Sequence, residues 1–306
     1  MYHYKIEQSS EIRVKDQSDA TRCPNNDPLL VTQGRESRRN VGLIRSTILA
    51  GLLAIAVALG TGAGLAANTG AQPEGPNPLE ADPILVAAGD IASCSSGGDE
   101  ATAALLDGLP GTIATLGDHA YDSGTPQEFA NCYGPSWGGH KSRTRPTLGN
   151  HDYGTSGATG YFDYFGADAG EPGKGYYSYE LGAWHIVVLN SNCSEVGGCS
   201  GGTPQEQWLR KDLAAHPTAC TLAYWHHPRF SSGEKYGTNE QMTPLWQVLY
   251  EHGADVILSG HEHSYERFAP QDATGTMDFE RGIRQFVVGT GGIACISLER
   301  CYRPAR

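Results

Sequence analysis

Four short apolar runs in this chain each stop at a residue able to hold a metal ion, and that recurrence constrains the fold more than any other feature. The run Ile84–Ala88 stops at Gly89-Asp90 and Thr112–Leu116 at Gly117-Asp118; residues 220–225 stop at His226-His227, and 255–258 lead to Gly260-His261. Apolar runs of this length, bounded by turn residues, read as buried strands. Open α/β sheets bind ligands beyond the carboxyl ends of their strands, so groups at several such ends should converge. Glycine there lets the backbone turn tightly. Between the runs, 100–106 and 244–252 read as helices. Thr203-Pro204-Gln205-Glu206 opens another, with Thr203 as N-cap and Glu206 completing a capping box. Residues 176–180 and 183–189 alternate like hairpin arms about Leu181-Gly182. The expected class is α/β: a layered β-sheet core of βαβ units, arranged as a two-sheet sandwich and flanked by helices.

Taken singly, each cluster has a plain structural explanation. An aspartate after a strand is commonly a turn or helix cap, and Gly149-Asn150-His151-Asp152 reads by itself as an asparagine turn. His261-Glu262-His263 carries more weight, because in an extended segment residues i and i+2 share a face. Together, in order and at strand ends, they point to one metal centre. Forty glycines and seventeen prolines with only 18% charged residues imply turns and long loops rather than a helical bundle. The net charge is −12, and residues 1–45 hold eight basic against six acidic groups, so the acidity lies in the rest of the chain. That disfavours nucleic-acid binding, which needs basic patches. A small anionic substrate remains compatible, because bound cations would dominate the local field.

The clusters read, in order, Gly-Asp at 89–90, GDHAY at 117–121, GNHD at 149–152, WHHP at 225–228 and GHEH at 260–263. This series resembles the calcineurin-like metallophosphoesterases. The tyrosine three residues after Asp118 looks like the purple acid phosphatases, in their single-domain bacterial form. The resemblance implies the metallophosphoesterase fold and two metal ions. Asp90, Tyr121 and His263 would bind the first, Asn150, His226 and His261 the second, and Asp118 would bridge both. A phenolate suits Fe(III), leaving Zn, Fe or Mn(II) at the other position. The implied reaction is hydrolysis of a small phosphorylated substrate, a monoester, by a metal-bound hydroxide; a phosphodiesterase or nuclease, or an inactive pseudoenzyme, is the alternative. His151 would serve in the outer shell as an acid, with Asp152 orienting it. His227 and Arg229 are candidates to face the substrate, against a packed histidine and a surface arginine. His119, inside GDHAY, is more simply read as structural. One departure is Ala92, where the family often has glycine.

Residues 1–40 read as disordered. Arg38, Arg39 and Arg45 precede an apolar stretch from Ser46 to Gly60, so 41–71 is expected to be a signal peptide or membrane anchor, with a loose twin-arginine character. It places the catalytic part, 84–292, outside the cell beyond a Pro/Gly linker at 72–83, and the membrane enters only through this segment. Export permits disulfides. Cys193 and Cys199 flank a five-residue loop and are expected to pair; Cys94 with Cys132 is a second pairing, and Cys220 reads as buried. Residues 293–306 carry three arginines and two cysteines without strand period, and read as the product of a truncation or frame shift. It would leave an uncovered sheet edge.

Overall fold

The computed structural model describes residues 11–13, 83–218, 220–233 and 236–293. In chain order its strands are β1 (Glu11–Arg13), β2 (Ile84–Ala88), β3 (Ala92–Ser93), β4 (Thr112–Leu116), β5 (Ala120–Tyr121), β6 (Thr144–Thr147), β7 (Tyr177–Leu181), β8 (Trp184–Val188), β9 (Cys220–Tyr224), β10 (Val256–Ser259), β11 (Tyr265–Arg267) and β12 (Arg284–Val288). The α-helices are α1 (Gly98–Leu106), α2 (Pro126–Glu128), α3 (Thr159–Phe165), α4 (Pro204–Ala215) and α5 (Thr243–Glu251).

Two mixed sheets and a small third form the scaffold. The first runs β1-β2-β4-β6, the second β11-β12-β10-β9-β8-β7, and β3 pairs with β5. Within the first, β2, β4 and β6 are parallel and β1 is antiparallel to β2. Within the second, β8, β9, β10 and β12 are parallel, with antiparallel β7 and β11 at the edges. The strand period of two sorts side chains between two cores. Ile186, Val188, Leu222, Tyr224, Leu258 and Phe286 join a cluster with Leu85, Ile113 and Leu116 of the first sheet. The intervening Val187, Ala223 and Ile257 face Leu209 and Leu213 of α4 and Leu245, Trp246 and Leu249 of α5. The expected sandwich flanked by helices is thus present, and its parallel strands point their carboxyl ends the same way.

Local differences have physical reasons. Thr203 is the extended N-cap of α4, but its hydroxyl donates to the Ser200 carbonyl (2.7 Å) and Glu206 accepts from the Gly202 amide (3.0 Å), so no capping box forms there. A box the sequence reading passed over closes α2, between Thr125 and Glu128. Within the segment read as disordered, β1 pairs with the edge of β2. Strand β12 is not the edge of its sheet: three-residue β11 takes that place, and short edge strands limit further pairing. The disulfides Cys94–Cys132 and Cys193–Cys199 are both present, whereas Cys220, read as merely buried, is disulfide-bonded. No helix among the described residues is long and apolar enough to cross a membrane. The expected leader at 41–71 and residues 294–306 lie outside the described residues.

Candidate metal centre

Seven side chains meet beyond the carboxyl ends of both sheets. Asp90 follows β2, Asp118 follows β4, Tyr121 ends β5, and Asn150 lies beyond β6; His226 follows β9, and His261 and His263 follow β10. Asp90, Asp118 and His261 adopt left-handed backbone (φ 62°, 52° and 72°), which non-glycine residues seldom hold unless the surroundings impose it. The glycines beside them are required by space: a Cβ on Gly149 would strike the Asp118 carboxylate, and one on Gly117 would meet His226 Nδ1 at 2.6 Å. His261 and His263 therefore do not share a strand face; the segment is bent, and the bend itself turns both toward the cluster.

The Tyr121 hydroxyl lies 3.0 Å from both Asp90 Oδ1 and Asp118 Oδ2, though its single proton can be given to only one. His263 Nε2 stands 3.4 Å from Tyr121 Oη and from Asp90 Oδ1. His226 Nδ1 meets the Leu116 carbonyl at 2.7 Å, which assigns a hydrogen to that nitrogen and turns Nε2 inward. There Nε2 faces Asn150 Oδ1 (3.1 Å), Asp118 Oδ2 (3.2 Å) and His261 Nδ1 (3.2 Å). A cation placed among them would be held by lone pairs from all of these groups at once. The electrostatics agree. Burial would lower the His226 pKa, but Asp118 outweighs it and lifts the value to about 9. Burial would likewise raise Asp118, yet His226 holds it well below the usual carboxylate range. Burial, Asp90 and Asp118 together push the Tyr121 phenol far up. Two groups in this region have the composition of a metal site, Asp90-Asp118-His226 and His226-His227-His261. Their oxygen and nitrogen donors match divalent or trivalent transition ions.

The surrounding residues sort differently from the sequence expectation. His151 stands at the mouth, one-third exposed, with Nδ1 on the Asp122 carbonyl (2.6 Å) and Nε2 4.0 Å from Asp118 Oδ2. Asp152 does not orient it. Fully buried, Asp152 accepts from the amides of Asp118 (3.1 Å), His119 (3.2 Å) and Gly149 (2.8 Å), so it ties the loops after β4 and β6 together. His119 completes that brace, with Nδ1 on Asp152 (3.0 Å) and Nε2 on Thr115 (2.7 Å), its ring packed against Phe165 and Tyr161. His119 is structural. Arg229 is turned away from the cluster: it is buried, pairs with Glu240 (3.0 Å), reaches the Ala273 carbonyl (3.1 Å) and lies over Phe230. A phosphate-facing role does not fit that geometry. His227 does sit beside the cluster, its ring 4.4 Å from that of His261 and its Nδ1 on Ser191 Oγ (2.8 Å). Burial, with His226 adding, pushes its pKa down to about 3.

Two contributors escaped the sequence reading. Glu262, between the two histidines, is buried and accepts from the amides of Tyr236 and Gly237 (both 3.0 Å), holding a loop whose Tyr236 ring lies 4.1 Å from that of His261. The available signal was a carboxylate inside GHEH. Ser191, which fixes His227, carries no local signal at all. A separate open cavity of about 510 Å³ adjoins the Cys193–Cys199 loop, and none of the cluster residues lines it.

Comparison with known proteins adds to this geometry. The family model described as calcineurin-like phosphoesterase matches residues 78–265. Purple acid phosphatase 15 of Arabidopsis thaliana is 26% identical over 200 residues, covering 53% of this chain and 37% of the relative. Among solved structures, a purple acid phosphatase from yellow lupin (Lupinus luteus) seeds superposes with a TM-score of 0.52 at 17% identity, over 68% of this chain and 44% of that one. A dimetal phosphatase from Danio rerio gives 0.50 at 12% identity, over 66% and 86%. At these identities the structures bear on the fold alone. The chain spans little more than a third of the length of the Arabidopsis relative and under half of the lupin enzyme.

Proposed function

The chain belongs to the calcineurin-like phosphoesterase family, and from that premise we propose that it is an exported, metal-dependent hydrolase of phosphate monoesters. The observation that carries this reading is the convergence on His226 Nε2 of Asn150, Asp118 and His261, with Asp90 and His263 gathered about Tyr121, whose hydroxyl meets the same Asp118 Oδ2 that faces His226. Asp90, Tyr121 and His263 would hold one ion, Asn150, His226 and His261 the other, and Asp118, whose Oδ2 faces both Tyr121 and His226, would serve both. A phenolate donor favours Fe(III) at the first position, and imidazole with an amide oxygen favours a divalent Zn, Fe or Mn at the second. Such a pair supplies Lewis-acid charge that acidifies water and neutralises phosphate oxygens.

The chain's own groups do the rest. The Asp122 carbonyl accepts from His151 Nδ1, which leaves Nε2 directed at the cluster, where it can give a proton to the departing alcohol oxygen. His227, kept neutral by burial and fixed by Ser191, offers a polar face beside His261. A small phosphorylated substrate is the partner this arrangement suits. Export is supported by the basic-then-apolar segment at 38–60 and by disulfides such as Cys94–Cys132 and Cys193–Cys199, which persist in oxidising compartments.

The test is metal analysis of the purified protein together with paired assays on p-nitrophenyl phosphate and bis(p-nitrophenyl) phosphate. Two ions per chain, a visible phenolate-to-iron band and preference for the monoester are expected. Diester preference would move the assignment to a phosphodiesterase, and no hydrolysis of either by metal-loaded protein would sink it.

A further inference from the structure

A second group of metal-competent side chains lies at the other end of the second sheet. His185 is the second residue of β8 and pairs in register with Thr221 of β9. The metal-centre residue His226 lies five positions further along, about 16 Å away at 3.3 Å per strand residue. Around His185 stand Asp212 and His216, one helical turn apart at the end of α4, and Glu180, its cross-strand partner on β7. Donor atoms of His185, Asp212 and His216 all lie within 4.8 Å of one another.

We infer that His185, Asp212 and His216 form a second, separate site for a divalent transition ion of the zinc type. The strongest support is the orientation of His185. Its Nδ1 meets Glu180 Oε1 at 2.7 Å, while Nε2 faces Asp212 Oδ2 at 2.8 Å. A histidine that ligates a metal through one nitrogen characteristically gives its other N–H to a carboxylate, which fixes the ring and raises its basicity. Glu180 stands where that carboxylate is needed. Asp212 is itself oriented by the Ser178 hydroxyl (2.8 Å), and its Oδ1 is 3.5 Å from His216 Nδ1. His185 is buried and Asp212 partly so, with its side chain nearly covered, while His216 is about half exposed, so water can complete the coordination.

The required rearrangement is small. Zinc bonds to nitrogen and oxygen at about 2.0–2.2 Å, so donors of a tetrahedral site stand about 3.4 Å apart. The His185–Asp212 contact must open by roughly half an ångström toward that spacing. His216, whose Nδ1 now meets the Asp212 carbonyl at 2.8 Å, exchanges that helix-end contact for the ion. Binding would clip the end of α4 to the β7–β8 hairpin.

The experiment measures zinc bound per chain at buffered free Zn2+, using the full chain with its catalytic centre already loaded. Wild type should take up one more equivalent than His216→Ala at the same free zinc, with affinity in the variant at least tenfold weaker. Glu180→Gln, altering an exposed side chain, should weaken the same equivalent about 10–100-fold, as loss of an orienting partner does. Both variants should keep phosphatase activity within about twofold of wild type. Asp118→Asn should keep this zinc while losing the catalytic ions, so failure of the catalytic reading and failure of this one are distinguishable. Equal zinc uptake by wild type, His216→Ala and Glu180→Gln would overturn the site, as would a wild-type protein taking up none beyond its catalytic ions.

Discussion

Histidines of the second sheet meet aspartates from other elements at both of its ends, and the two ends differ in what lies between the donor atoms. Around His185, each nitrogen meets a carboxylate, so protons alone satisfy every contact. The supporting backbone is ordinary there, and burial, which would lower the His185 pKa, is outweighed by hydrogen bonds to Asp212 and Glu180 that raise it. Around His226, by contrast, several acceptors face one nitrogen, and three of the residues hold left-handed backbone. One cluster is complete with protons and can exchange them for a metal; the other crowds more donor atoms around one nitrogen than a single proton serves, as a cation-binding cluster does. Residue type does not separate the two ends. Backbone strain and the count of protons against acceptors do.

That contrast predicts the largest effect at Asp118, whose two oxygens touch Tyr121, His226 and the His151 amide. Asp118→Asn should reduce phosphatase activity to background and release both catalytic ions in metal analysis. Near-normal turnover with stoichiometric metal would collapse the distinction between the ends. His151→Ala comes next. It should cut turnover about 10²–10⁴-fold, the usual contribution of a positioned acid, with both ions retained. The loss should shrink for esters with good leaving groups, and an equal loss for good and poor ones would assign His151 to positioning.

The strained loops need braces, and these were the part of the site that sequence could not display. Asp90, Asp118, His226 and His261 were legible because each closes an apolar run of strand length, a pattern written in neighbouring residues. Asp152 and Arg229 depart from expectation for one reason: nearness in sequence to His151 and His226 does not give a side chain their direction. Asp152 instead reaches back 34 residues to the Asp118 amide, and Arg229 pairs forward with Glu240. Such partners are chosen by the sheet topology, which local pattern does not encode. Similarly, Thr125 and Glu128 carried the capping-box spacing in a helix too short to leave a periodic signature. Asp152→Asn should therefore act as loss of a metal-orienting partner, weakening catalytic metal affinity about 10–100-fold while leaving the His185 end unchanged. Competition with a chelator at both ends measures it, and a loss shared equally would show general unfolding instead of local bracing.

The smallest effect lies farthest from the ions. Glu128 accepts from the amides of Asp122 (2.6 Å), Ser123 (3.2 Å) and Thr125 (2.8 Å), clasping the loop whose Asp122 carbonyl holds His151. Burial would raise its pKa, but the Thr125, Asp122 and Ser123 amides and the Thr125 hydroxyl outweigh it and hold the value below the ordinary 4.5. A carboxyl depressed on folding binds its proton more readily in the unfolded chain, so its stabilisation is full above about pH 4.5. It is lost as pH falls from there through the lower folded value. Glu128→Gln should thus cost little stability at pH 3 and more at pH 7, flattening the acid limb of a denaturant-midpoint profile. Solvent screens this clasp, so the stability change stays small. Turnover should fall about two- to fivefold at pH 5, since the misplaced acid remains present and contributes only part of its usual factor. Metal content should not change. An unaltered pH–stability profile would remove Glu128 from the clasp, and loss of metal would mean that the strain at Asp118 reaches further along the chain than Tyr121.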